Sequence, residues 1–174
     1  FTIESTIRDM TSDDRRMDPG RRRPKIQILS RQKKVRVDRA AAAAFCAALL
    51  ETLGLPGGSL SVVFVGTRTM RRLNRRWRGR DCATDVLSFD YGDTAAGPGF
   101  LGDVVIAPEI AARQSSGSPA GVEREIRLLL VHGVLHLAGY DHETDGGEMM
   151  RVQRRLTRRK FFPSPPPLVG PEEG

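Results

Sequence analysis

Apolar residues recur along this chain with two spacings, and the spacing switches across short polar breaks. KIQILS (25–30), LSVVFV (60–65), DVLSFD (85–90) and DVVIAP (103–108) are short runs rich in β-branched and apolar residues, the pattern of strands. Between them, apolar positions fall three to four apart, as on one face of a helix. Asp38 stands where a cap belongs for an Ala-rich helix to about Leu53, with Gly54 and Pro56 to stop it. Thr67 is placed to cap a second helix, whose Met70, Leu73 and Trp77 share a face and leave the arginines on the others. EIAARQ, after the fourth strand, reads as a short helix. Ser118 and Pro119 open a long one that runs through EIRLLLVHGVLHLA to a stop at Gly139. It is apolar nearly all round, which makes it the central buried helix. A last helix covers roughly Asp145 to Phe161.

These elements place one domain at 25–162. Residues 1–24 are polar, lack periodicity and read as a disordered or variable basic arm. Residues 163–174 hold a Pro-rich stretch, expected to be a disordered tail that packs no core. No apolar run approaches the roughly 18 residues that span a membrane. The first 25 residues mix Glu4, Asp9, Asp13, Asp14 and Asp18 with arginines, which suits neither a signal nor a transit peptide. A cytoplasmic protein is expected. Cys46 and Cys82 show neither disulfide-framework nor zinc-ribbon spacing.

All three histidines lie within HGVLHLAGYDH, residues 132–142. His132 and His136 are four apart on one helix, so their Cβ atoms sit about 5–6 Å apart on the same face. Gly139 lets the chain turn back and deliver His142. A divalent metal, zinc first, fits this set. Three neutral imidazoles leave its charge uncancelled and a fourth position open for water, the arrangement of a catalytic site. A structural site closes with a fourth protein ligand, and no spacing argues that Cys82 supplies it. In H-E-x-x-H proteases a glutamate beside the first histidine is the general base. Here that position is Gly133, which takes no proton; Asp141 and Glu143 lie off the helix, on either side of the third histidine.

The net charge of +7 suggests an anionic partner, RNA first. Lys25, Lys33, Lys34 and Lys160 are the only lysines, and an arginine bias also arises from composition alone. Distribution says more. TRTMRRLNRRWRGR (67–80) and RVQRRLTRRK (151–160) are dense in Arg. Arg75, Arg76, Trp77 and Arg80 in the first are candidate RNA contacts, since Arg beside an aromatic suits phosphate binding and base stacking. Solvated helix faces are the plain alternative.

HGVLHLAGYDH resembles the H-G-x-L-H-L-x-G-Y-D-H signature of the YbeY family of endoribonucleases. RGRDCATDVLSFD (78–90) is similar to that family's R-G-x-D-x-x-T-D-V-L-S-F segment, LGDVVIAPE (101–109) to its L-G-D-[IV]-x-I strand, and Glu148–Met149 to the E-M of its last helix. Ala83 departs from a common proline. The resemblance covers about residues 25–162. It implies a zincin-like α+β fold, with a small mixed sheet of about four strands packed with about five helices and the metal helix at the centre. It implies one zinc per chain on His132, His136 and His142, and Arg78 as the catalytic arginine beside it. Asp85 and Asp141 are candidates for orienting ligand histidines, Asp85 also for ordering the loop that carries Arg78. The implied activity is single-strand-specific cleavage of RNA in small-subunit ribosomal RNA 3′-end maturation and ribosome quality control. The implied partners are that RNA precursor and the ribosome or its proteins, with no membrane. Attack by zinc hydroxide and attack by the RNA's own 2′-OH both remain open. Two alternatives stand beside this reading. One is a metal-dependent hydrolase of another substrate, such as a zincin-like protease. The other is a non-catalytic ribosome-associated RNA-binding factor with structural zinc.

Overall fold

The four apolar runs pair into one sheet. In the computed structural model, which describes residues 23–92, 99–115, 117–158 and 168, they form β1 (Lys25–Ser30), β2 (Ser59–Phe64), β3 (Val86–Phe89) and β4 (Phe100–Ile106). The order is β1-β2-β4-β3, with β1 and β2 parallel, β2 and β4 parallel, and β3 antiparallel to β4. The described helices are α1 (Arg39–Thr52), α2 (Thr67–Arg78), α3 (Pro108–Gln114), α4 (Pro119–Leu137) and α5 (Glu148–Leu156). The expected α+β architecture, a four-stranded mixed sheet with five helices, is what the chain adopts. Among the described residues no helix is long and apolar enough to cross a membrane.

Strand residues alternate between faces, and here each face has its own core. Val62, Phe64, Val104 and Ile106 point to the main core, which α1, α4 and α5 complete with Leu49, Leu130, Val134 and Met149. Val65, Leu87, Val105 and Ala107 point the other way, onto Met70 of α2, with Leu73 and Phe89 packed alongside. The histidine helix and the arginine-rich helix therefore lie on opposite faces of the sheet, with β3 at the edge between them.

Four boundaries depart from the local pattern. β4 begins at Phe100 rather than near 103, because Gly102 does not interrupt the strand. A Cβ there would run into the Phe89 carbonyl and come within 2.8 Å of Leu137 Cδ2, so only glycine lets strand and helix approach. Thr67 does not cap α2: it is the first helical residue, and the cap position is Gly66, which makes no side-chain cap bond. Glu109, carried in by α3, supplies the carboxylate instead. It accepts from Thr67 Oγ1 at 3.2 Å and from Lys34 Nζ at 2.9 Å, and also bonds the Thr67 backbone. The last helix starts at Glu148, not Asp145, because Gly146 and Gly147 both take left-handed φ (61° and 90°), and it ends at Leu156, short of the expected Phe161. Asp145 still serves the helix start, accepting from the backbone N–H of Gly147 at 2.8 Å and of Met149 at 2.6 Å. Asp38 and Ser118 cap α1 and α4 as their positions suggested.

One residue of the expected Pro-rich tail lies among the described residues. Leu168 is fully buried in the main core, and its carbonyl accepts from the Asp38 N–H at 2.6 Å. A tail rich in proline still carries one leucine, and one leucine suffices to fill an apolar slot. The arm through residue 22, Phe161 and the rest of the tail lie outside the described residues.

Candidate metal centre

The last two turns of α4 place His132 and His136 on one face, and the way the helix ends brings the third histidine back. Gly139 takes φ 89° just past the end of α4. Its N–H bonds the His136 carbonyl at 3.0 Å, and the Tyr140 N–H bonds the Leu135 carbonyl at 3.0 Å, the paired bonds of a Schellman ending. Asp141 then shapes the return. Its carboxylate accepts from the Glu143 N–H at 3.1 Å and from Thr144 Oγ1 at 3.0 Å, and its carbonyl from the Asp145 N–H at 2.9 Å.

The result is a cluster of three imidazoles. Ring centroids are 4.7 Å apart for His132–His136, 5.4 Å for His132–His142 and 5.2 Å for His136–His142. One nitrogen from each ring lies within 4.8 Å of the others. His132 Nε2 and His136 Nε2 are 3.2 Å apart. Two nitrogens bound tetrahedrally to zinc at ~2.0–2.1 Å stand roughly 3.3 Å apart, so this pair already has the spacing of a coordination edge. His132 and His136 are half-buried, and His142 is exposed, which leaves the cluster open to a substrate on that side.

Gln153 of α5, itself buried, sits 3.0 Å from His132 Nδ1 through its Oε1. With the amide oxygen as acceptor, Nδ1 carries the proton and Nε2 keeps its lone pair for a cation. Burial lowers the pKa of both His132 and His136, with the Gln153 contact working against it for the first and the neighbouring histidines adding to it for the second. Both rings are therefore neutral at physiological pH, the form that binds metal.

Gly133, where a protease of this kind has glutamate, is fixed by packing. A Cβ there would lie 2.6 Å from Val104 Cγ1 and 3.1 Å from Ser88 Oγ. Ser88 Oγ also donates to the Gly133 carbonyl at 3.2 Å. The histidine helix is thus pressed onto β3 and β4 at a position that has no side chain.

A family model described as endoribonuclease YbeY matches residues 27–160. The chain belongs to the YbeY family. A relative named endoribonuclease YbeY in an Anaeromyxobacter species is 45% identical over 114 residues, covering 64% of this chain and 59% of its own length. This chain thus spans about three fifths of that relative. An Aquifex aeolicus protein of the same name is 39% identical over 135 residues, covering 78% of this chain and 89% of its own. Among solved structures, a Thermotoga maritima protein determined in solution matches with TM-score 0.52 at 27% identity, covering 78% of this chain and 88% of that one.

The YbeY-like segment 78–90 leaves the end of α2 and enters β3. Arg78 is the last residue of α2, exposed, and has no hydrogen bond or ion pair among the described residues. Arg75, Arg76, Trp77 and Arg80 surround it on the surface, and none of them touches the histidines among the described contacts. Asn74, buried, holds the following loop by donating from Nδ2 to the Cys82 carbonyl at 2.8 Å. Asp85 bonds the start of β3 rather than a histidine. It accepts from the Val86 N–H at 2.8 Å, from Thr84 Oγ1 at 3.1 Å and from Gln114 Nε2 at 3.2 Å. It reaches His132 only through its charge. Asp141 likewise bonds its own turn and acts on His136 by charge. The partner of a histidine that local reading passed over is Gln153. It had a signal: Met149, Val152, Gln153 and Leu156 form the buried stripe of α5, and only one of them is polar.

Proposed function

We propose that this chain is a zinc-dependent endoribonuclease that cuts single-stranded RNA. Its place is the cytoplasm, in 3′-end maturation of small-subunit ribosomal RNA and in ribosome quality control, with the RNA precursor and the ribosome or its proteins as partners. The observation that carries the reading is the open three-histidine cluster in a chain of the YbeY family.

His132, His136 and His142 would hold one zinc ion. Zinc bound there supplies Lewis acidity toward a phosphodiester. Everything else falls to the chain. Gln153 keeps the proton of His132 on Nδ1 and so aims Nε2 inward. Arg78 is the candidate for binding the phosphate whose charge grows in the transition state, because a guanidinium pairs with it through two N–H donors. Arg71, seven residues before it, is committed elsewhere: Nε and Nη2 bond both Asp81 carboxylate oxygens, at 2.9 and 2.8 Å. Arg75, Arg76 and Arg80 add positive charge beside Arg78. Peptide hydrolysis in the H-E-x-x-H manner lacks its base, since Gly133 is held by packing.

The test is cleavage of a single-stranded RNA carrying the small-subunit 3′ end by the zinc-loaded chain, with His136→Ala and Arg78→Ala prepared in parallel. Cutting by the parent alone is the expected result. Equal cutting by all three would expose a contaminating nuclease, and binding without cutting by the parent would favour the non-catalytic factor.

A further inference from the structure

Trp77 is the residue whose position its sequence pattern does not explain. It continues the apolar stripe of α2, where Met70 and Asn74 are buried, and on that pattern it belongs in the second core. Yet it is 59% exposed, the most exposed of the large apolar residues described. The cause is the sheet's edge. β3 has only four residues and, among the described residues, no strand beyond it, so the stripe of α2 runs past the end of what it covers. Phe89, the last residue of β3, braces the indole from one side, with ring centroids 5.9 Å apart in an edge-to-face contact. Arg76 lies 5.5 Å from the indole centroid, and Arg75, Arg78 and Arg80 are exposed around it.

A braced, exposed indole amid four arginines complements a flat ring attached to a polyanion. That description fits a nucleotide and does not fit an apolar peptide or an alkyl chain, neither of which brings negative charge with it. The position also connects with the histidines. Ser88, beside Phe89, bonds the carbonyl of Gly133, which is next to His132. Neighbouring strand residues face opposite ways, so Phe89 and the Trp77 it braces lie on the face of β3 opposite the histidine helix. A strand of RNA held at the histidines would reach Trp77 by crossing the edge of β3.

We infer that Trp77, braced by Phe89, is a stacking subsite for an unpaired base close to the cut site. The inference rests on the ribonuclease reading and adds a physical source for its single-strand preference. A paired base is sandwiched in its own helix and has no free face to offer the indole. Because stacking uses a face that every base has, the subsite selects unpaired nucleotides without selecting sequence.

Trp77 is the chain's only tryptophan, so its emission reports on this position alone. The full zinc-loaded chain is titrated with a dye-labelled single-stranded oligoribonucleotide, following dye anisotropy for binding and tryptophan emission for contact. Emission is expected to change in step with anisotropy. Trp77→Ala is expected to weaken binding about tenfold, the effect of losing one stacked base. Trp77→Phe should keep most of the affinity, and an oligonucleotide with abasic sites should bind the parent and Trp77→Ala alike. Binding that leaves the emission unchanged, or that Trp77→Ala does not weaken, overturns the inference while the ribonuclease reading stands. If the oligoribonucleotide does not bind the parent at all, the ribonuclease reading fails and takes the inference with it.

Discussion

Gln153 Oε1 lies 3.0 Å from Nδ1 of His132, and the two residues come from different helices. The contact decides which nitrogen of His132 faces its partners. Gln153→Leu leaves Nδ1 without an acceptor in a buried place and frees the ring to rotate or change tautomer. Zinc affinity, measured by competition with a chromophoric chelator, is expected to drop on the order of 10–100-fold. Gln153→Glu keeps an acceptor and should keep most of the affinity. Full affinity in Gln153→Leu would sink the idea.

Gly133→Glu, which restores the residue of H-E-x-x-H proteases, is expected to damage the fold rather than create a peptidase. Its Cβ would meet Val104 at 2.6 Å, against the packed interior of β4. Overpacking of this kind costs about 1–3 kcal/mol, and the buried carboxylate adds to it. Urea unfolding should show the loss. Gly133→Ala should show a smaller one, and wild-type stability in either variant would contradict the packing argument.

Metal-free protein should lose stability as pH falls below 6.5. Burial lowers the folded-state pKa of both His132 and His136 from 6.5. Above that value both rings are neutral, folded or unfolded, and contribute no pH dependence. Below it the unfolded chain takes up protons that the folded chain refuses, so stability declines until the pH passes the folded values. Urea midpoints compared at pH 7.5 and 5.5 with chelator present read this out, against a His132→Asn, His136→Asn double variant in which the decline should shrink. An undiminished decline in the double variant would assign the effect to other groups.

Two arginines on one helix should behave differently. Arg78→Ala removes an exposed guanidinium with no described ion-pair partner and is expected to lower RNA cleavage about 100–1,000-fold, as loss of one transition-state donor does. Arg71→Ala breaks an exposed ion pair with Asp81 that solvent screens, so melting should barely move. Its cleavage should stay within about tenfold of the parent, since it binds a loop and not the phosphate. Equal losses from both would show that general positive charge, and not Arg78, is what the RNA needs.

What could be read along the chain was local. The H-x3-H-x5-H spacing and Gly139 gave the histidine cluster because helix periodicity and a left-handed glycine act within eleven residues. Asp38 and Ser118 were legible as caps for the same reason. The missing pieces all depend on partners far away in sequence. Thr67 looked like a cap until Glu109 arrived from 42 residues on. Gln153 gains its role only when α5 meets α4, 21 residues apart. Trp77 reads both as part of an apolar stripe and as an RNA contact, and only the described sheet's stop at β3 shows why it is exposed. Periodicity tells which face of a helix is apolar, and it does not tell where the neighbouring layer ends.

The docking of Leu168 has a consequence for the order of synthesis. Its carbonyl meets the N–H of Asp38, the residue that caps the first helix, and its side chain fills a core whose other described members precede it in the chain. During translation the nascent polypeptide can assemble its sheet and histidine helix while that slot still waits. Leu168 enters only after the stretch that carries it has cleared the exit tunnel. The interior around α1 is thus completed by a residue made late, long after the helix it seals.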